Sequence, residues 1–221
     1  MKKLVIFDLD GTLLDTLCDL RDAVNHTMRY VGRPERTIAD IRRFIGNGIR
    51  KLIERSLGDN FDDALVDECF KVFFDYYKVH YNVNTVKYDG VDRCIDLLLK
   101  NGVGVGVVTN KLNSMAVDLC REHFGDVFVG VVGDVDGMPR KPDPAKVLKM
   151  MSDCGCEQCI LVGDSSVDVK TAKNAGIPCV AVSWGFEDRD KLVLLEPEYI
   201  ADTDKELEEI LIKALILENV D

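Results

Sequence analysis

The chain has no excess of basic residues: 28 Lys and Arg stand against 39 Asp and Glu in 221 residues, a formal net charge of −11. A surface for nucleic acid or for an anionic membrane needs the opposite balance, so neither is an expected partner. Long apolar runs are missing too, and no stretch reaches the ~18 uncharged apolar residues of a membrane-spanning helix. The N-terminal apolar run stops at Phe7 and meets two aspartates, which is too short for the core of a secretory signal. Together these absences predict a cytoplasmic protein. Zinc-binding patterns are also lacking. The run Cys154-Gly155-Cys156-Glu157-Gln158-Cys159 has no fourth ligand nearby and no paired Cys-x-x-Cys spacing. Cys69, Cys94 and Cys179 fall in apolar patterns, where a free thiol acts as a small hydrophobe. Between Asp15 and Asn84, finally, there is no strand pattern.

What is there is the composition of a globular protein, 47% hydrophobic and 30% charged, long enough for one core with a smaller satellite domain. The apolar run Lys3–Phe7 predicts a first strand. From Val103 onward short apolar runs alternate with helical patterns, as in a parallel sheet covered on both faces. Strands are predicted at Val103–Thr109, Val127–Val132, Ile160–Val162, Cys179–Ser183 and Tyr199–Ala201. Asp143-Pro144 reads as an N-cap with proline in the first helical position, and Ala175-Gly176 as a helix end. In the strandless stretch, apolar stripes predict four helices: Leu17, Leu20, Val24 and Met28; then Ile38, Ile41 and Ile45; then Ile49, Leu52, Ile53 and Leu57; then Phe61, Leu65, Cys69, Val72, Phe73 and Tyr76. The expected fold class is α/β, a doubly wound, mainly parallel sheet formed by residues 1–14 and 85–221, with a helical cap, 15–84, inserted after the first strand.

The chemistry concentrates where strands end. Asp8 and Asp10, two residues apart in Phe7-Asp8-Leu9-Asp10-Gly11-Thr12, share a face of an extended segment. Crowded carboxylates of this kind suit a hard divalent ion such as magnesium. Leu161-Val162-Gly163-Asp164 is a second strand running into a carboxylate, with Asp168 one helical turn later. Val107-Val108-Thr109-Asn110 offers a strand-end hydroxyl and a backbone N–H. Lys141, in Arg140-Lys141-Pro142-Asp143-Pro144, is a point charge in a loop stiffened by prolines.

Asp8-Leu9-Asp10-Gly11-Thr12, Thr109, Lys141 and Gly163-Asp164-x-x-x-Asp168, in this order and each after a strand, resemble the motifs of haloacid dehalogenase-like phosphatases. The likeness spans the chain. Within that superfamily it points to the phosphoglycolate phosphatase branch with a helical cap, whose glycine-containing cap loop Phe44-Ile45-Gly46-Asn47-Gly48-Ile49-Arg50 resembles. The resemblance implies that Asp8 is the nucleophile, forming an aspartyl-phosphate, and that Asp10 is the general acid and base. It implies Mg2+ held by Asp8, the Asp10 backbone carbonyl and Asp164, with Asp168 in support. Thr109, the Asn110 amide and Lys141 would bind phosphoryl oxygens. Gly46, Gly48 and Arg50 would face a small phosphorylated metabolite, Arg50 as partner for a substrate carboxylate or else as a solvated helix residue. Asp10 argues against a dehalogenase, which has no leaving oxygen to protonate. A β-phosphoglucomutase-like sugar phosphomutase shares almost every one of these residues, although Thr12 favours a phosphatase, and a pyrophosphatase of the same family is a further alternative. A monomer or a homodimer is compatible with the sequence.

Overall fold

The computed structural model describes residues 2–46 and 48–217. It forms two compact units, Met1–Leu14 with Lys87–Asp221, and Asp15–Val86. Its strands are β1 (Lys2–Phe7), β2 (Leu14–Asp15), β3 (Val86–Lys87), β4 (Gly104–Leu112), β5 (Val131–Asp134), β6 (Cys156–Gly163), β7 (Cys179–Val182) and β8 (Tyr199–Ala201). Its helices are α1 (Leu17–Tyr30), α2 (Ile38–Phe44), α3 (Ile49–Leu57), α4 (Asp63–His80), α5 (Val91–Lys100), α6 (Asn113–Phe124), α7 (Ala145–Cys154), α8 (Ser166–Ala175), α9 (Arg189–Val193) and α10 (Asp204–Ile212), which runs on into a π-helical turn, Lys213–Leu217.

The first unit is an α/β fold on a six-stranded sheet ordered β5-β4-β1-β6-β7-β8, its strand pairs parallel. β1 lies inside the sheet and its last four residues, Leu4 to Phe7, are fully buried, as a strand covered on both faces requires. Its side chains alternate. Leu4 and Ile6 join Val147 and Met150 of α7, Val169 and Ala172 of α8 and Leu192 of α9 in one apolar layer, while α5 and α10 pack with the sheet elsewhere. The register levels the strand ends that carry chemistry: Phe7 pairs with Val107 on one side and Val162 on the other, and the Asp8 N–H continues the ladder to the Val162 carbonyl at 2.8 Å. A separate two-stranded sheet, β2 with β3, lies where the chain leaves and rejoins this unit.

Boundaries differ from expectation for local reasons. β5 becomes regular only at Val131, although Val129 and Gly130 already exchange backbone hydrogen bonds with β4. β6 starts early, at Cys156, because it pairs with Lys2 across a register shift. That places the cysteine run at the opposite end of β6 from Asp164. All eight cysteines are free thiols. α7 begins one residue later than Asp143-Pro144 suggests, with Pro144 at the N-cap and the Asp143 carboxylate accepting from the Ala145 N–H at 2.9 Å.

The second unit is helical, α1 to α4. Thr37 and Asp40 form a reciprocal capping box on α2, and the Asp62 carboxylate caps α4 through the Leu65 N–H. In α4 the buried stripe is Val66, Cys69, Phe73 and Tyr77, rotated from the expected one: Phe61 is 40% exposed, and Tyr76 stacks between His26 and His80 instead of entering the core. Both stripes satisfy helical spacing, and packing against α1 selects one. A carboxylate fastens this unit. Asp19 in α1 is buried and accepts from the backbone N–H groups of Val83 and Asn84, the Asn84 side-chain amide and the Thr85 hydroxyl, at 2.7–3.1 Å.

Candidate active site

Three carboxylates converge beyond the ends of β1 and β6. Asp8, Asp164 and Asp168 each present an oxygen within 4.8 Å of the other two, and all three are buried. Asp8 and Asp164 follow neighbouring strands directly. Asp168 comes from the first turn of α8, where one of its oxygens, Oδ2, accepts from the Ser165 N–H and hydroxyl and so holds the helix start. Its other oxygen takes the Lys141 ammonium at 2.6 Å. The same ammonium lies 2.9 Å from Asp8 Oδ1, its side chain only 2% exposed.

Lys141 is aimed by more than its prolines. The Asn110 side chain receives the Lys141 backbone N–H at 2.9 Å and returns its own amide to the Lys141 carbonyl at 3.0 Å. Asn110, expected at a strand exit but lying within β4, which runs on to Leu112, thus has a positioning task that its sequence context did not reveal. Thr109, buried on β4 two residues past the Val107–Phe7 pair, stands at the level of the same loop and accepts from the Lys111 N–H at 3.2 Å.

The electrostatics expose a missing positive charge. Burial pushes the Asp8 carboxyl up to about 6, with Lys141 opposing and Asp168 and Asp10 adding to the rise. Asp164 is held well above the ordinary carboxylate range, first by burial and then by the charges of Asp168 and Asp8. Burial pulls Lys141 down, but Asp168 and Asp8 outweigh it and raise it above its usual value. One ammonium does not neutralise three buried anions. An all-oxygen donor set of this kind fits a hard divalent cation.

Asp10 stands outside this cluster. Its Oδ1 is 2.9 Å from the ammonium of Lys111, whose side chain is almost fully buried. The expected metal contribution of Asp10 is its backbone carbonyl, so its carboxylate is left for other work. Lys111 escaped the sequence reading because a lysine at a strand exit looks solvated. Its one signal is its place two residues after Thr109, on the same face of β4.

Two further supports were not anticipated. The Thr12 hydroxyl donates to Asp164 Oδ1 at 3.2 Å, and the Phe186 N–H donates to Asp164 Oδ2 at 2.7 Å. Gly11, at φ +86°, must be glycine twice over, since a Cβ there would stand 2.3 Å from Asp164 Oδ2.

The cap-loop candidates belong to the helical unit. Gly46 and Gly48 adopt positive φ, Gly48 as the N-cap residue of α3, and Asn47 between them lies outside the described residues. Arg50, expected either to partner a substrate carboxylate or to be a solvated helix residue, is half-exposed on α3 and is engaged by neighbouring carboxylates. Its guanidinium pairs with Asp67, with Asp63 at 3.2 Å and with Glu54 at 3.6 Å, because the start of α4 brings acidic residues to its side of α3.

Known proteins resemble this chain in sequence and fold. The sequence profile of the haloacid dehalogenase-like hydrolases matches residues 5–182. A phosphoglycolate phosphatase of Pseudomonas syringae pv. syringae is 36% identical, over 94% of this chain and 79% of its own. That of Agrobacterium fabrum is 32% identical, over 98% and 95%. A crystal structure from Lactobacillus delbrueckii subsp. bulgaricus, of a phosphoglycolate phosphatase by prediction, superposes with a TM-score of 0.89 at 30% identity, covering 96% of this chain and 99% of that one. With the profile spanning all three carboxylates, Asp10, Lys111 and Lys141, the chain belongs to the haloacid dehalogenase-like hydrolases.

Proposed function

We propose that this hydrolase removes phosphate from a small phosphate monoester, with phosphoglycolate as the best-supported substrate, through an aspartyl-phosphate on Asp8. The observation that carries the reading is the different provision made for two carboxylates two residues apart: Asp8 lies against Lys141 in the buried cluster, whereas Asp10 stands outside it beside Lys111. This difference supports Asp8 as nucleophile and Asp10 as proton carrier.

A carboxylate oxygen of Asp8 attacks phosphorus as the bond to the ester oxygen breaks, and the Asp10 carboxyl gives that oxygen its proton. Asp10, now ionised, takes a proton from water, whose oxygen attacks the same phosphorus. The P–O bond to Asp8 breaks, inorganic phosphate leaves and both side chains return to their first state. Thr109, the Asn110 N–H and Lys141 hold the phosphoryl oxygens through both halves. A divalent cation, Mg2+ in this reading, would be held by Asp8, Asp164 and the Asp10 carbonyl and would supply charge neutralisation where the phosphoryl group sits. Asp168 keeps Lys141 in place. Phosphoryl transfer offers a protein little covalent chemistry, so positioning and charge must supply the rate. The unit Asp15–Val86 is assigned the role of a cap that selects the substrate.

The substrate assignment draws on the relatives named phosphoglycolate phosphatase at 36% and 32% identity. A cytoplasmic location is supported by eight unpaired thiols. Among the described residues no helix is long and apolar enough to cross a membrane. The test is release of inorganic phosphate from a panel of monoesters, pyrophosphate and sugar phosphates with Mg2+ present. Phosphoglycolate is expected to give the highest kcat/KM. Isomerisation of a sugar phosphate without net phosphate release would replace the hydrolase with a mutase.

A further inference from the structure

A carboxylate that takes a divalent ion is useful only if its plane is fixed, because a ligand free to rotate loses affinity to disorder. Asp164 is fixed at both oxygens. Thr12 serves Oδ1 from the loop after β1, and Phe186 serves Oδ2 from the segment after β7, the strand paired with β6 through Gly163 and Ala181. None of the strand-end motifs includes that second segment.

The segment is built around this contact. Gly185 comes so near that a Cβ there would lie 2.2 Å from Asp164 Cβ, 2.4 Å from Asp164 Oδ2 and 2.4 Å from the Gly11 carbonyl oxygen. No other residue fits without displacing either the carboxylate or the loop that carries Asp10. Trp184, the only tryptophan, donates its indole N–H to the Thr12 carbonyl at 3.2 Å, bracing the residue that serves the other oxygen. Glu187 accepts the Ser166 N–H at the start of α8, the helix that carries Asp168. Four consecutive residues therefore touch the two carboxylate-bearing segments and the loop after β1.

We propose that Trp184-Gly185-Phe186 is a positioning element for Asp164 that sets how tightly the site holds its divalent cation. This rests on the reading that the site takes Mg2+. Its residues meet Asp164 and the loop after β1, so its signature is metal affinity.

The test is calorimetric titration of the full-length protein with MgCl2 alone, for wild type, Gly185→Ala and Trp184→Phe, with circular dichroism and thermal unfolding as checks on the fold. Gly185→Ala is expected to raise the Mg2+ dissociation constant about 10–100-fold, the usual range for partners behind a metal ligand. Trp184→Phe keeps the aromatic body and loses one hydrogen bond, so a rise of about threefold or more is expected. Activity lost at low Mg2+ should return at high Mg2+, which a general packing defect would not permit. Unchanged affinity in both variants overturns the proposal, as does lost activity that excess Mg2+ does not restore. If Gly185→Ala does not fold, Trp184→Phe decides alone. A wild type that binds no Mg2+ overturns the metal reading and this inference with it. Mg2+ binding that weakens as expected in a protein that releases no phosphate leaves the inference standing and overturns the phosphatase reading instead.

Discussion

The carboxylate site and the helical unit treat charge in opposite ways. Around Asp8 the charged groups are withdrawn from water and multiply held: Lys141 is shared by Asp8 and Asp168, Asp164 has a donor on each oxygen, and Lys111 is buried against Asp10. In the helical unit charges sit on the surface and pair with whatever lies near, as Arg50 does with Asp63 and Asp67, which are 95% and 67% exposed. Buried charges are costly to desolvate and damaging to unpair, whereas exposed pairs contribute little. A protein keeps the first kind where chemistry requires it. Asp19 is the exception on the helical side: a buried carboxylate with a structural task, satisfied entirely by neutral donors.

The contrast can be broken at several points. Asp8→Asn should have the largest effect, lowering phosphate release by on the order of 10⁴-fold or more while the fold persists, since removal of a nucleophile removes the pathway. Substantial turnover by that variant, measured with phosphoglycolate and Mg2+, would end the nucleophile assignment. Lys141→Met should both abolish activity and destabilise the protein by about 3–5 kcal/mol in urea unfolding, the typical result of stripping a buried anion of its partner. A loss as small as that of a surface lysine would show that the cluster is wetter than its burial indicates.

Asp19→Ala comes next, at about 1–3 kcal/mol, because it leaves buried N–H groups unpaired. Its loss should appear in unfolding of the helical unit, with the Mg2+ affinity of the carboxylate site unchanged. The pH dependence of the metal-free protein sharpens the contrast further. Asp8 is raised from 3.8 to about 6, so its contribution to stability is fully present below its ordinary value and disappears as pH rises through about 6. Thermal unfolding should therefore show stability falling between about pH 4 and pH 6.5, less steeply in Asp8→Asn, and Mg2+ should stabilise more at pH 7.5 than at pH 5. Arg50→Ala should have the smallest effect, leaving the thermal midpoint almost unchanged and the KM for phosphoglycolate within about twofold of wild type. A large rise in KM would restore Arg50 to the substrate.

Much of this was legible in the chain. The continuous apolar run of β1 and the alternation after Val103 point to a parallel sheet covered on both faces by helices. Asp8, Lys141, Asp164 and Asp168, from separate stretches of the chain, come together in one cluster, since parallel strands bring their carboxyl ends to the same edge. Local chemistry of this sort is written in sequence because it depends on neighbours a few residues away. Lys111, Asn110, Asp19 and the Trp184-Gly185-Phe186 segment were not legible in the same way. Each finds its partner at a distance along the chain, Lys111 with Asp10 and Phe186 with Asp164, and a lone lysine or a backbone N–H carries no mark of what it will meet. The stripe of α4 was ambiguous for the same reason, as two faces satisfy one period and packing decides between them. The sequence by itself therefore determined which groups carry charge and in what order strands and helices alternate. Only the tertiary structure decided which oxygen each donor reaches, because hydrogen bonding and burial are settled by distances that no local pattern encodes.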